Sequence, residues 1–209
     1  WLRVHRLSVT VIVVGNVTTG GKGKTPVTAW LVEFCRGAGL RTRIVSRGYG
    51  GRPSRSPRLV SPVDDAAEVG DEPLLLRRQT GAPVCVHGDR VAAAQRLVEE
   101  GANLIIADDG LQHYRLHRDL EIAVLDGERR LGNGFLLPAG PLREPAGRLR
   151  SVDLVLVNGG PARPGEFALQ SRISGLRALD GSARCSLEAL RGQSVRTIAG
   201  IGNPARFHA

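Results

Sequence analysis

Residues 9–26 read VTVIVVGNVTTGGKGKTP, and this stretch decides the fold. Val9–Val14 is an apolar, largely β-branched run with the length of one buried strand. A glycine-rich turn follows, and Lys24–Gly37 carries a helical pattern that Gly37 and Gly39 stop. Strand, turn and helix start are the setting of a phosphate-binding loop, whose pattern is Gly, four residues, then Gly-Lys-Ser/Thr. Gly23-Lys24-Thr25 fits it, with Thr18 in place of the leading glycine. The chain has 29 Lys plus Arg, yet its only two lysines are Lys22 and Lys24, both inside this loop. A compact point charge is thus kept where a phosphate would sit. Thr18, Thr19, Gly20, Gly21, Lys22 and Gly23 form the cradle, in which backbone N–H groups and the helix N-terminus receive an anion. Lys24 is expected to reach the β- and γ-phosphates of a nucleotide, and the Thr25 hydroxyl to hold Mg²⁺. The competing reading is a glycine-rich turn with chance lysines. Strand, spacing and lysine usage together weigh against it.

Outward from the loop, apolar strands alternate with helices. Strands are expected at Arg43–Ser46, Val84–His87, Leu104–Ala107, Glu121–Leu125, Leu154–Val157 and Arg196–Ala199. Helices are expected at Glu72–Thr80, with Pro73 tolerated in its first turn, and at Asp89–Glu100. Residues 48–62 read as a loop or small hairpin. Residues 127–145 form a long loop rich in Gly and Pro, of a length that usually carries function. The pattern predicts an α/β fold of the P-loop NTPase type, with a mostly parallel sheet covered by helices on both faces. Glycines and prolines after residue 158 place a boundary there. Residues 1–158 are read as a P-loop domain and 159–209 as the start of a smaller, truncated C-terminal α/β part.

A chain of 209 residues needs no disulfide to fold. Its three cysteines are scattered and lack metal-ligand spacing, which fits a reducing setting and argues against a zinc site. The net charge of +9 points to an anionic substrate, a membrane surface or nucleic acid. Aromatic residues make up only 4%, poor material for base stacking, so nucleic acid is not expected as a partner. No apolar run reaches the roughly 20 residues that span a bilayer. The chain begins at Trp1 and contains no Met, and it reads as a fragment or processed form.

Several residues carry candidate chemistry. Leu104–Gly110, LIIADDG, is an apolar strand ending in two aspartates, like a Walker B element. Asp108 and Asp109 would lie in the crevice at the carboxyl end of a parallel strand, as metal-linked groups. Asp71 and Glu72 have two readings that can coexist: Asp71 as N-cap of the next helix, or as general base for a substrate hydroxyl. Arg143, in PAGPLREP, could stabilise charge on a transferring phosphoryl group, or be a solvated loop charge. His113 and His117 are read as structural hydrogen-bonders. Arg43, Arg47, Arg52, Arg55 and Arg58 surround RGYGGR, as a solvated loop or as a surface for an anionic substrate or headgroup.

The motifs VGNVTTGGKGKTP, SRGYGG, VGDEPLLL, the segment from Asp108 to Pro145, DLVLVNGG and AGIGNPARF occur in this order. Together, over residues 9 to 207, they resemble the tetraacyldisaccharide 4′-kinase family, the lipid A 4′-kinases of Gram-negative bacteria. That family tends to carry Ser or Thr where Thr18 stands. The resemblance implies ATP and Mg²⁺ as cofactors and an anionic glycolipid, tetraacyldisaccharide 1-phosphate, as acceptor. It also implies work at the cytoplasmic face of the inner membrane. Lys24 and Thr25 then bind nucleotide and metal, Asp108 and Asp109 are the metal-linked pair, and Asp71 is the candidate base. Arg143 and Glu144 fall on a motif at the nucleotide end of the site, with Glu144 a further metal-linked carboxylate. Two family features have no counterpart here: most of the N-terminal membrane-docking helix, and a histidine-bearing FPDHH-like stretch beyond the IGNP segment. Three rival readings differ at particular residues. A partitioning ATPase of the MinD/ParA type would carry lysine where Thr19 stands. A GTPase would need an NKxD motif that the lysine positions rule out. A non-catalytic anion- or lipid-binding module would use the loop as a simple phosphate nest.

Overall fold

The structure is a computed structural model and describes residues 3–20, 23–173, 175–178 and 182–198. Its strands are β1 (Thr10–Gly15), β2 (Thr42–Ser46), β3 (Arg58–Leu59), β4 (Val84–Val86), β5 (Leu104–Asp108), β6 (Leu120–Asp126), β7 (Leu154–Asn158), β8 (Phe167–Leu169), β9 (Leu176–Arg177) and β10 (Arg184–Cys185). Its helices are α1 (Lys24–Gly37), α2 (Ala66–Val69), α3 (Asp71–Thr80) and α4 (Arg90–Glu99). Eight strands form one sheet in the order β3-β4-β2-β5-β1-β6-β7-β8. All its pairings are parallel except that of β3 with β4.

The period-2 alternation of side chains explains why the central strands are apolar throughout. Ile12 and Val14 of β1 enter the core on the α1/α3 side, with Val27, Leu31, Leu74, Ile44 and Ile106. Val11 and Val13 enter the core on the α4 side, with Val91, Leu97, Val45 and Ile105. β1 lies between β5 and β6, so the loop that follows it opens at the carboxyl ends of the central strands.

Three differences from the sequence reading have physical causes. The cap of α3 is Gly70, not Asp71, which is the first helical residue. Gly70 has φ 91°, and a Cβ there would lie 2.7 Å from the Tyr49 carbonyl oxygen. Only glycine fits this crossing, because Gly51 packs on it from the other side and Arg52 N–H donates to Glu68 O at 3.1 Å. The SRGYGG turn is thereby fixed to the VGD turn. Second, β8 lies past the expected boundary at residue 158 and still joins the main sheet as its eighth strand. Only β9 and β10 form a separate hairpin-like pair. Third, Arg196–Ile198 form no strand, while Ala199 and the whole of AGIGNPARF lie outside the described residues.

The ends of β6 and β7 approach so closely that a Cβ on Gly127 would meet the Gly159 carbonyl oxygen at 1.3 Å. Backbone must move to admit it. Gly127→Ala is expected to destabilise the fold by more than about 3 kcal/mol and to lower Tm by roughly 6–12 °C. A thermal melt within a degree of the wild type would contradict this packing.

Candidate active site

The loop after β1 is tied down from the far side of the chain. Thr18 and Leu142 form an antiparallel bridge. Thr19 N–H donates to Pro141 O at 2.8 Å, and Arg143 N–H donates to Val17 O at 2.8 Å. The long loop 127–145 therefore lies along the phosphate-binding loop, with Leu142 buried as its anchor. This is how Arg143 comes beside residues more than a hundred positions earlier. Gly23 is the N-cap of α1 at φ 88°, with no side chain closing the helix end. A Cβ on it would lie 2.4 Å from Asn158 Nδ2. The N-terminus of α1 is thus open to an anion, held there by a residue that has to be glycine.

Lys24 is buried, and its Nζ is held 3.1 Å from Asp109 Oδ1 and 3.4 Å from Asn16 Oδ1. Asp109 follows β5 at φ 47°, a left-handed conformation that Asp tolerates. It also accepts from the Arg143 guanidinium at 2.9 and 3.0 Å. Burial alone would raise the Asp109 pKa, but Lys24 and Arg143 outweigh it and hold the carboxyl below its usual range. Asp108 behaves in the opposite way. Its Oδ1 accepts from Thr28 Oγ1 at 2.8 Å, and its Oδ2 is buried without a partner. Burial pushes its pKa up to about 6. The two neighbouring aspartates are therefore unequal: one is neutralised by two cations, while the other keeps a bare oxygen.

The cleft over these groups has a volume of about 1100 Å³. Gly20, Gly23, Lys24, Thr25, Asp109 and Arg143 line one end, with Asp71 and Glu72 of α3 on the wall. The Asp71 side chain makes no hydrogen bond or ion pair among the described residues. Glu72 is raised in pKa by desolvation in the cleft wall, against the pull of Lys24, with Asp109 and Asp71 adding to the rise.

Not every expected site residue is brought in. Glu144 faces away from the cleft, into a cluster where Gln112 Nε2 donates to it at 2.7 Å and the Tyr114 hydroxyl and Arg148 also engage it. Asp108, Asp109 and Glu144 do not converge, and among the described residues no three His, Cys, Asp or Glu gather as a metal cage. Glu144 acts here through Gln112, which also donates to Asn16 O at 3.0 Å and accepts from Arg143 at 3.4 Å. Thr18 and Thr19 anchor the loop from behind rather than lining the cleft. Gly21 and Lys22 lie outside the described residues. His113 lines the cleft, and its pKa falls to about 4 through burial and then Arg90, so it is neutral at pH 7.

The family model described as tetraacyldisaccharide-1-P 4′-kinase matches residues 1–209. The chain belongs to this 4′-kinase family. It is 55% identical, over its whole length, to the tetraacyldisaccharide 4′-kinase of Alkalilimnicola ehrlichii. It is 51% identical over 97% of its length to that of Pseudomonas aeruginosa. The chain spans 63% and 62% of the lengths of these two relatives. A crystal structure of LpxK from Aquifex aeolicus in complex with ATP matches 99% of the chain and 68% of that protein, with TM-score 0.82 and 29% identity. The MinD/ParA alternative falls away, since the 4′-kinase family model covers the whole chain.

Within this cleft, sequence reasoning missed Thr28, Asn16, Gln112 and Arg90. Thr28 was visible in principle, because it lies four residues after Lys24 and so on the same face of α1. The bare Asp108 oxygen leads to a prediction. Asp108→Asn keeps an acceptor for Thr28 and removes a buried charge, so Tm at pH 7.5 is expected to rise by about 2–4 °C. The folded pKa lies above the unfolded one, so wild-type stability grows as pH falls through about 6, and the gap between the two proteins closes there. A lower Tm for the variant at pH 7.5 would contradict the strain assigned to this carboxylate.

Proposed function

We propose that the protein is an ATP-dependent kinase that moves the γ-phosphate of ATP to the 4′-hydroxyl of a tetraacyldisaccharide 1-phosphate. The observation that carries this reading is the cradle itself: an uncapped helix N-terminus, buried Lys24 and Arg143 converging on Asp109 at the mouth of one cleft. Family membership supplies the acceptor class, and the ATP complex of the Aquifex relative supports the nucleotide.

In this reading the β- and γ-phosphates lie on the loop from Thr18 to Thr25, and Lys24 exchanges Asp109 for phosphate oxygens. Asp71 takes the proton of the acceptor hydroxyl as its oxygen bonds to the γ-phosphorus. The bond from that phosphorus to the β-phosphate oxygen breaks, and ADP leaves. Arg143 stabilises the charge that develops on the transferring group. Hydroxyl and carboxylate oxygens suit Mg²⁺, and the bare Asp108 oxygen fits such a role. Thr25, Asp108 and Asp109 are the residues that would hold it. Bound there, Mg²⁺ would supply positive charge that offsets the negative charge of the nucleotide phosphates.

No helix among the described residues is long and apolar enough to cross a membrane. The acceptor is a membrane lipid, so the proposed place of work is the cytoplasmic surface of the inner membrane, with Arg52 and Arg55 toward anionic headgroups, since Arg58 is paired with Asp64 and Glu68. The test is transfer from γ-labelled ATP to detergent-solubilised acceptor, beside an acceptor lacking the 4′-hydroxyl. Label in the first and none in the second is expected. Equal label in both would overturn the assignment of the acceptor position.

A further inference from the structure

Behind the cleft wall, Tyr114, Arg118, Glu121, Glu144 and Arg148 form a cluster, and none of the five lines the cleft. Arg148 is its hub. One of its NH₂ groups donates to Glu121 Oε1 at 2.5 Å. Its Nε donates to the Tyr114 hydroxyl at 3.3 Å and lies 3.6 Å from Glu144 Oε1, while the guanidinium sits over the Tyr114 ring at 5.8 Å. The Tyr114 hydroxyl donates to the same Glu144 oxygen. Arg118 supplies the second cation and donates to Glu121 Oε1 at 3.2 Å. Two arginines thus balance two glutamates, with all four side chains no more than 14% exposed. Such a cluster adds little stability over apolar packing of equal volume; what it does impose is direction. Tyr114 and Arg148 take Glu144 Oε1, which leaves Oε2 to accept from Gln112 Nε2 at 2.7 Å. A carboxylate only accepts, so it selects the NH₂ end of the Gln112 amide. Gln112 Oε1 then faces Arg143 at 3.4 Å, and the same Nε2 donates to Asn16 O at 3.0 Å. Turned over, the amide would set its oxygen against the carboxylate and its NH₂ against the guanidinium. Asn16 Oδ1 in turn meets Lys24 Nζ at 3.4 Å, so one amide joins the settings of both cleft cations.

We propose that Arg148 is a positioning residue for phosphoryl transfer. It holds Glu144, Glu144 selects the direction of the Gln112 amide, and that amide sets the Arg143 guanidinium and the Asn16 end of the phosphate-binding loop. The reaction is that of the kinase reading, on which this rests. The 3₁₀ turn Ala146–Arg150 carries Arg148 back, four residues on, to the carboxylate beside Arg143. Moving a cation by about 1 Å from where transition-state charge develops costs up to about 10²-fold in rate, even when the substituted residue is remote. The loss falls on kcat rather than on binding, because Arg143 acts on charge that appears only during transfer.

The test is a double-mutant cycle. Arg148→Met leaves Glu121 paired with Arg118, and Glu144 with Gln112 and Tyr114, so no carboxylate is stranded. It is expected to lower kcat by roughly 10–30-fold, with acceptor KM and ATP Kd within about threefold of the wild type. Tyr114→Phe, which removes only a hydroxyl, is expected to lower kcat by about 3–10-fold in the same manner. In an Arg143→Met background the Arg148→Met change should cost less than about twofold more, since the group it positions is gone. A full further loss in that background, a loss carried by KM, or unchanged kcat in both single variants overturns the assignment. A parallel arm reads hydrogen exchange of the Gln112 side-chain amide by NMR, without nucleotide or acceptor. Arg148→Met is expected to speed that exchange by about tenfold while the amides of β1 and β5 stay protected. Faster exchange supports the hold on Gln112 even if no transfer is detected, which separates it from the kinase reading. Unchanged exchange overturns it.

Discussion

Lys24→Met is expected to lower kcat/KM for phosphate transfer by about 10³-fold while leaving the fold intact. The methionine fills the same buried channel, so packing is largely kept. Asp109 loses the contact at 3.1 Å but keeps both contacts to Arg143, so no buried carboxylate is stranded. The lost quantity is a positive charge fixed, before substrate arrives, where β- and γ-phosphate oxygens would lie. Such a charge acts most strongly on the transition state, because it needs no reorganisation as the bond breaks. Thermal melting and initial rates measured on the same preparation check both parts. A loss of less than about tenfold would show that the phosphates lie elsewhere.

The second large effect is at Asp71. Asp71→Asn is expected to reduce turnover by about 10²–10⁴-fold with ATP affinity nearly unchanged. The amide has the same shape but cannot accept the acceptor proton. Asp71 was a plausible cap from sequence, and a cap would have made this variant a stability mutant. Gly70 holds that position instead, with no side-chain cap bond, and Asp71 opens into the cleft. Stability should therefore fall only by the weak dipole contribution of a first-turn carboxylate, under about 1 kcal/mol. Parallel loss of ATP affinity and turnover would make Asp71 structural. Turnover lost on Glu72→Gln but kept in Asp71→Asn would move the base one residue along, to the carboxyl whose pKa is already raised.

The central strands and α1 were legible because their signals are local. A continuous β-branched run, a glycine turn and two lysines need no tertiary context. α1 spans the residues that its pattern gave, and β1 and β5 differ from expectation by a residue or so at their ends. The short pieces were not legible. β3 and β8 have two and three residues, and what makes them strands is the neighbour they pair with. Asp71 as cap failed for a similar reason: the crossing of Gly51 over Gly70 joins segments about twenty residues apart. Glu144 was placed with the metal by resemblance, whereas in this structure its carboxylate is held by Gln112, Tyr114 and Arg148.

The most direct test of the account is a crystal structure of the protein with Mg²⁺ and a non-hydrolysable ATP analogue. The account predicts β- and γ-phosphates on the loop between Thr18 and Thr25, with Lys24 Nζ moved from Asp109 to phosphate oxygens and Asp71 facing the γ-phosphate across open cleft. Phosphates found at Arg47 and Arg90 instead, with the Lys24–Asp109 pair intact, would contradict it.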